Sequence, residues 1–160
     1  MTTPDHKLYR PCAGIMLVNA EGMAFVGKRI DTKEGDWWQM PQGGIDKGED
    51  PNDAALRELW EETGLTAGKV RIETRMQQEL YYDLPEELKG KLWRGKYIGQ
   101  RQTWFLVRLT GEEADIDLAA HQPPEFNAWK WVQPDTLPDL IIPFKRTIYT
   151  AVLEAFRPLI

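Results

Sequence analysis

Three glutamates, Glu58, Glu61 and Glu62, stand close together in sequence. On a helix of 3.6 residues per turn they share one face, within roughly 100° of arc. Like charges at i+3 and i+4 cost roughly 0.2–0.5 kcal/mol each. Near a helix C-terminus the macrodipole disfavours anions by roughly another 0.3–1 kcal/mol. A solvated acidic face is the ordinary explanation of a charge run, but it leaves these costs uncompensated. Arg57 reaches Glu61 at i+4 and leaves the other two acids unanswered. A divalent cation on that face would reverse the balance. Carboxylate oxygens with no His or Cys among them favour Mg²⁺, with Mn²⁺ or another divalent cation as the alternative.

The elements that must hold these acids follow from local signals. Asp50 is a good N-cap, Pro51 suits the first helical position, and Asp53 complements the positive end of the dipole. Gly64 has the type expected just past the end. The spacing predicts a helix over 51–63. Ala55, Leu56, Leu59, Trp60 and Thr63 form its buried stripe, and the three glutamates point away from the core. Before the helix, Gly43, Gly44 and Gly48 allow backbone to come close to a ligand. Glu49 ends that loop as a candidate partner for Arg57.

Around this helix the pattern is of strands. Ala13 to Val18 and Ala24 to Arg29 are apolar runs joined by Asn19-Ala20-Glu21-Gly22, which reads as a hairpin turn. Trp37 to Met40 reads as a short strand ending at Pro41. Val70 to Met76, Gln77 to Tyr82, Arg101 to Leu109 and Phe126 to Val132 read as further strands. Leu84 to Lys96 is a polar insertion with one helical turn at Glu86 to Lys89. Ile148, Ala151, Val152, Ala155 and Phe156 have the spacing of an amphipathic helix from about Phe144 to Arg157. These elements predict an α/β sandwich with a central mixed β-sheet.

The 160 residues suit one domain, with residues 1–8 as a loose lead-in. The net charge of −5 disfavours bulk nucleic-acid binding but leaves room for a local basic patch. Lys89, Lys91, Arg94, Lys96 and Arg101 form such a run. It either guides a nucleic-acid end or balances Glu86 and Glu87. The single cysteine, Cys12, forms no intramolecular disulfide and reads as a buried hydrophobe at a strand start. No stretch has the length of a secretory or membrane-spanning segment, so a cytoplasmic location is expected.

The pattern Gly, five residues, Glu, seven residues, Arg-Glu-apolar-x-Glu-Glu-x-Gly-apolar is filled by Gly43, Glu49, Arg57, Glu58, Leu59, Glu61, Glu62, Gly64 and Leu65. It resembles the Nudix box with no departure, which implies a Nudix-type α/β/α sandwich. YRPCAGIMLVN, WWQMPQGGID, IGQRQTWFLV, PPEFNAWKW and IPFKRTIY extend the likeness, from about residue 9 to 157, to bacterial RNA pyrophosphohydrolases, also called dinucleoside polyphosphate hydrolases. It is weakest over 31–36 and 84–97.

That resemblance implies hydrolysis of 5′-triphosphate or 5′-diphosphate RNA ends to 5′-monophosphate ends, the step that triggers mRNA decay. The alternative is diadenosine tetra- or pentaphosphate hydrolysis as the main activity. A binding module that senses a nucleotide without cleaving it would be expected to lack box acids, and all are present. By resemblance Glu58, Glu62 and Arg57 are catalytic. Glu58, Glu61, Glu62, the distant Glu125 and the carbonyl of Gln42 hold the Mg²⁺ ions. Glu58 is the general base by the same likeness, although the residues alone do not separate base from ligand. Arg10, Arg29 and Lys145 are expected to meet phosphate. Phe144 is expected to stack on the first base with Ile142 or Tyr82 nearby, or else to start the core of the last helix. RNA 5′ ends and nucleoside polyphosphates are the expected partners, with no membrane and no obligate protein partner.

Overall fold

A computed structural model describes residues 6–30 and 35–160. The start of the lead-in and most of the 31–36 stretch therefore lie outside the described residues. Seven strands form one mixed sheet: β1 (Tyr9–Val18), β2 (Ala24–Arg29), β3 (Gln42–Gly44), β4 (Val70–Arg75), β5 (Leu80–Asp83), β6 (Gly99–Leu109) and β7 (Phe126–Val132). Three α-helices accompany them: α1 (Pro51–Thr63), the single-turn α2 (Leu137–Leu140) and α3 (Arg146–Phe156). The strand order is β4-β6-β1-β2-β7, with β3 on β1 and β5 on β6.

The central pair, β1 and β6, runs parallel from Tyr9↔Gly99 to Val18↔Arg108. Both strands are covered on two faces, so their middles read as continuous apolar runs instead of alternating ones. Each changes its other neighbour halfway along. Residues 12–14 of β1 pair with β3, and Val18 pairs with β2. Residues 99–102 of β6 pair with β5, and its far half pairs with β4.

Side-chain alternation splits the core in two. On one face Ala13, Ile15, Leu17, Phe105 and Val107 meet Ala54, Ala55 and Leu59 of α1. On the other, Met16, Val18, Trp104 and Leu106 meet Ile148, Tyr149, Val152 and Phe156 of α3. The result is the expected α/β/α sandwich with a central mixed sheet.

Helix α1 has the expected bounds because its caps are made. The Asp50 side chain accepts from the Asn52 N–H at 2.7 Å. Gly64 takes φ 79° and donates its N–H to the Trp60 carbonyl at 2.8 Å. The strand expected at 37–40 is instead one isolated bridge, Gly27↔Gln39. Pro41 has no N–H to continue the ladder, and regular pairing resumes only at β3. The expected 77–82 strand begins later, at Leu80. The last helix begins at Arg146, after a 3₁₀ turn at Pro143–Lys145. The turn at Glu86–Leu88 is 3₁₀, closed by the Lys89 N–H on Pro85 and Glu86 carbonyls. Cys12 is fully buried, and burial pushes its thiol up to about 11.

Two expectations about α1 are corrected. Trp60 is not core: it is 36% exposed and lies edge-on to His121 at 5.3 Å. Glu58 and Glu62, expected to point away from the core, are 9% and 4% exposed. The helix lies against β3 on one side, and Thr63 and Gly64 meet the backbone at Asp117 on another. Two of its flanks are covered, where the simple wheel assumed one.

Candidate active site

Arg57 ties the site together. Its Nε and Nη2 donate to the two Glu49 oxygens at 2.9 Å each, and Nη2 also donates to the Gly44 carbonyl at 2.8 Å. Its Nη1 donates to Glu58 Oε1 at 2.8 Å and approaches Glu61 at 3.3 Å. A planar guanidinium makes such forked contacts in fixed directions, which a lysine cannot copy. Arg57 therefore fastens α1 to β3 and to the glycine loop, and orients two of the three helix acids. Glu49 also accepts the Asp46 N–H at 3.0 Å. The Arg57 contacts, joined by this bond, hold the Glu49 carboxyl down at about 2.

The glutamates are held against their charge. Burial, reinforced by Glu61 and opposed by Arg57, raises Glu58 to about 7. Burial raises Glu62 well above its ordinary value, and the charges of Glu58 and Glu125 add to that. The Gln42 backbone N–H and Arg29 oppose the rise. Glu125, far beyond Glu62 in sequence, lies near enough in the fold for its charge to act on both helix acids. It enters on the segment leading into β7, where its carbonyl accepts the Ile30 N–H at 3.1 Å.

One oxygen of the site is left without a partner. Glu62 Oε2 is buried and has no hydrogen-bond partner among the described residues. Such an orphaned acceptor costs about 1–3 kcal/mol, more if charged. Among the described residues no three His, Cys, Asp or Glu side chains are yet gathered tightly enough to hold an ion. The donor set still fits a hard divalent cation: all oxygen, one acceptor orphaned, and two buried acids, Glu58 and Glu62, whose carboxyls are raised by burial and by neighbouring negative charge.

Gly43 shows how closely the parts meet. A Cβ there would sit 2.1 Å from the Glu58 carboxyl carbon and from its Oε2. Glu58 cannot simply swing aside while Arg57 holds Oε1. Gly43→Ala is expected to displace Glu58 and lower kcat by about 100-fold or more. The far-ultraviolet circular dichroism should stay unchanged. A variant within about twofold of wild type would show that Glu58 is not needed in this position.

Beside the acids lies a basic and aromatic wall. Lys145 Nζ stands 5.6 Å from the Tyr82 ring centre and 5.8 Å from that of Phe144. Those rings are 6.0 Å apart. Burial, with Arg29 adding to it, lowers Lys145 to about 8. Arg29, at the end of β2, acts on Glu62, Tyr82 and Lys145 alike. Phe144 is 41% exposed, which decides for an open platform and against a core role. Ile142 is half-buried, and it and Tyr82 both pack against the α3-side core. Arg10 sits 5.5 Å over the Trp93 ring and close to Gly44. Of the basic run, Lys89 pairs with Glu86 at 2.9 Å and Arg101 with Glu79 at 3.0 Å.

Sequence patterns alone gave one group of residues no role. Trp104 Nε1 donates to Gln102 Oε1 at 2.8 Å. Gln102 Nε2 donates to Gln100 Oε1 at 2.9 Å and to Gln42 Oε1 at 3.3 Å. This buried amide chain runs from the core to the residue whose backbone meets Glu62. Its signal was present as two glutamines at alternate core-facing positions of β6, where a strand ordinarily places apolar residues.

A family model described as the NUDIX domain matches residues 8–152. The chain therefore belongs to the NUDIX family. It is 60% identical over 158 residues to an RNA pyrophosphohydrolase of Erythrobacter litoralis, covering 98% of this chain and 96% of the relative. It is 54% identical over 161 residues to an RNA pyrophosphohydrolase of Sphingopyxis alaskensis, covering both chains in full. Among solved structures it resembles the dihydroneopterin triphosphate pyrophosphohydrolase of E. coli. There the TM-score is 0.71 and the identity 20%, over 92% of this chain and 97% of that one. It also resembles an Ap4A hydrolase of C. elegans, with a TM-score of 0.64 and 19% identity over 93% and 99%. These two likenesses establish the fold.

Proposed function

We propose that this chain is an RNA 5′-pyrophosphohydrolase dependent on Mg²⁺. It would convert 5′-triphosphate or 5′-diphosphate RNA ends to 5′-monophosphate ends, and so expose transcripts to decay. The observation that carries the reading is adjacency. Buried acids with an orphaned oxygen border Arg29, Lys145 and the Tyr82–Phe144 platform. One half suits a cation and a water; the other suits phosphates and a base. The two RNA pyrophosphohydrolase relatives, alike along nearly their whole length, support the RNA substrate.

Glu58, Glu61, Glu62, Glu125 and the Gln42 carbonyl would hold the ions, which supply charge neutralisation and a more acidic bound water. Arg29 and Lys145 donate to the phosphate chain and reduce its repulsion of the nucleophile. Phe144 and Tyr82 stack the base, which accepts any nucleobase because each has a π-face. Glu58 accepts the proton of the attacking water on Oε2, while Arg57 fixes Oε1. The new P–O bond forms at the phosphorus nearest the ribose as the anhydride bond breaks, and pyrophosphate leaves from a triphosphate end. Arg57 acts by orienting Glu58 and Glu61 and by holding the glycine loop.

The chain is read as one catalytic domain throughout. Among the described residues no helix is long and apolar enough to cross a membrane. A buried, unpaired Cys12 suits a reducing cytoplasm.

Product analysis on a 5′-triphosphorylated oligonucleotide with Mg²⁺ tests the reading. Pyrophosphate and a 5′-monophosphate end are expected, with Glu58→Gln slower by about 100-fold or more. Equal product from both proteins would remove Glu58 as the base. The open platform also accepts one adenine of diadenosine tetraphosphate. Higher kcat/KM on that compound would make the dinucleotide the main substrate.

A further inference from the structure

A large hollow lies on the α1 side of the sheet, and neither Tyr82 nor Phe144 lines it. Its volume is about 1100 Å³. Its floor includes the paired residues Pro11↔Arg101 and, further along β6, Thr103, where β1 and β6 run together. The glycine loop around Asp46 to Glu49 forms one wall, and the β4–β5 connection with Lys96 and Tyr97 forms the other.

The charge of this groove is opposite to that of the chain. Lys7, Arg10, Lys47, Arg75, Lys96 and Arg101 line it, six cations against the three acids Asp46, Glu49 and Glu79. The acids are already engaged. Glu49 is bound by Arg57 at 2.9 Å and Asp46 approaches it at 3.7 Å, and Arg57 does not line the groove. Glu79 is held by Arg101 at 3.0 Å. Among the described residues no carboxylate pairs with Lys47, Arg75 or Lys96. Arg75 meets only the neutral Asn52 side chain, at 3.3 Å. Arg101 keeps a buried Nε without an acceptor. These cations come from separate stretches of chain, so local sequence balance does not explain them.

We infer that this groove carries the RNA chain downstream of the reacting 5′ end. The inference rests on the proposed RNA substrate and extends its contacts past the first base. A single strand offers a phosphate at each nucleotide, which matches cations spaced along a trough. Tyr97 in the wall, with Lys96 5.2 Å from its ring centre, offers a stacking surface. Arg10 joins the two regions: it lines the groove and its charge also acts on Tyr82 of the platform. A small dinucleotide held at the acids would leave the groove empty.

The test compares 5′-triphosphorylated RNA of two nucleotides with RNA of about a dozen, a length within the usual span of single-strand sites. Diadenosine tetraphosphate serves as a third substrate. The triple variant Lys47→Glu, Arg75→Glu, Lys96→Glu is expected to raise KM for the long RNA by about tenfold or more. The dependence of log kcat/KM on log salt should flatten by about 2, near 0.7 for each phosphate that the variant leaves unneutralised. Turnover of the short RNA and of the dinucleotide should stay within about twofold. An equal effect on long and short RNA, or none on either, overturns the inference. If wild type cleaves no triphosphorylated RNA, the functional reading fails separately. The groove is then judged by fluorescence anisotropy with 5′-monophosphorylated single-stranded RNA, where unchanged affinity in the triple variant overturns it.

Discussion

Glu62→Gln is expected to lower kcat by about a thousandfold, the equivalent of losing several kcal/mol of charge stabilisation in the transition state. The same substitution is expected to stabilise the metal-free protein. Glu62 is buried with an orphaned oxygen, and its pKa lies well above the ordinary 4.5. A carboxyl whose pKa is higher folded than unfolded takes up protons on folding. Its stabilising effect is complete below the unfolded value and is lost as pH rises through the folded one. Glu58 behaves alike between about 4.5 and about 7. That difference corresponds to at most about 3 kcal/mol. Near the unfolded value the fold favours the neutral carboxyl, and a neutral amide changes least there. As pH rises the carboxylate is increasingly disfavoured by its surroundings and the amide is not, so the Tm gain of the variant should grow with pH, at about 2–4 °C per kcal/mol for a protein of this size. Mg²⁺ should raise the Tm of wild type and have much less effect on the variant. A Tm difference in chelator that does not grow with pH would show that Glu62 is not raised by its surroundings.

Trp104→Ala is expected to cost about 3–5 kcal/mol and lower Tm by roughly 6–20 °C. The ring is 1% exposed and stands edge-on to Tyr149 at 5.9 Å. It also covers the bare backbone of Gly14, where a Cβ would come within 2.5 Å of the indole. The glycine and the tryptophan are therefore one packing unit across β1 and β6. Trp104→Phe keeps most of the ring and removes the donor to Gln102, so its cost should be nearer about 1–3 kcal/mol. Thermal melts of both variants check this. If Trp104→Phe is as damaging as Trp104→Ala, the amide chain to Gln42 outweighs the packing.

Helix α1 was legible because its signals are local: an N-cap, a proline, an αL glycine and a 3.6-residue period. The strands were legible in kind but shifted in bounds. Tyr9 joins a strand by pairing with Gly99, and Gly99 also pairs with Asp83, contacts that no local window contains. The stretch around Gln39 is a single bridge because Pro41 offers no N–H to continue the ladder.

The sequence by itself determined which acids share a helical face, that Arg57 and Glu49 are suited to each other, and that the chain alternates strands around two helices. All of these depend on neighbours within a few turns or on residue chemistry. Only the tertiary structure decided that Glu58 and Glu62 are buried, that the charge of Glu125 acts on both, that Phe144 is exposed, and that cations from separate stretches line one groove. Those outcomes depend on distances between segments far apart in the chain, and burial, which sets the charge state of each carboxyl, exists only once they have met.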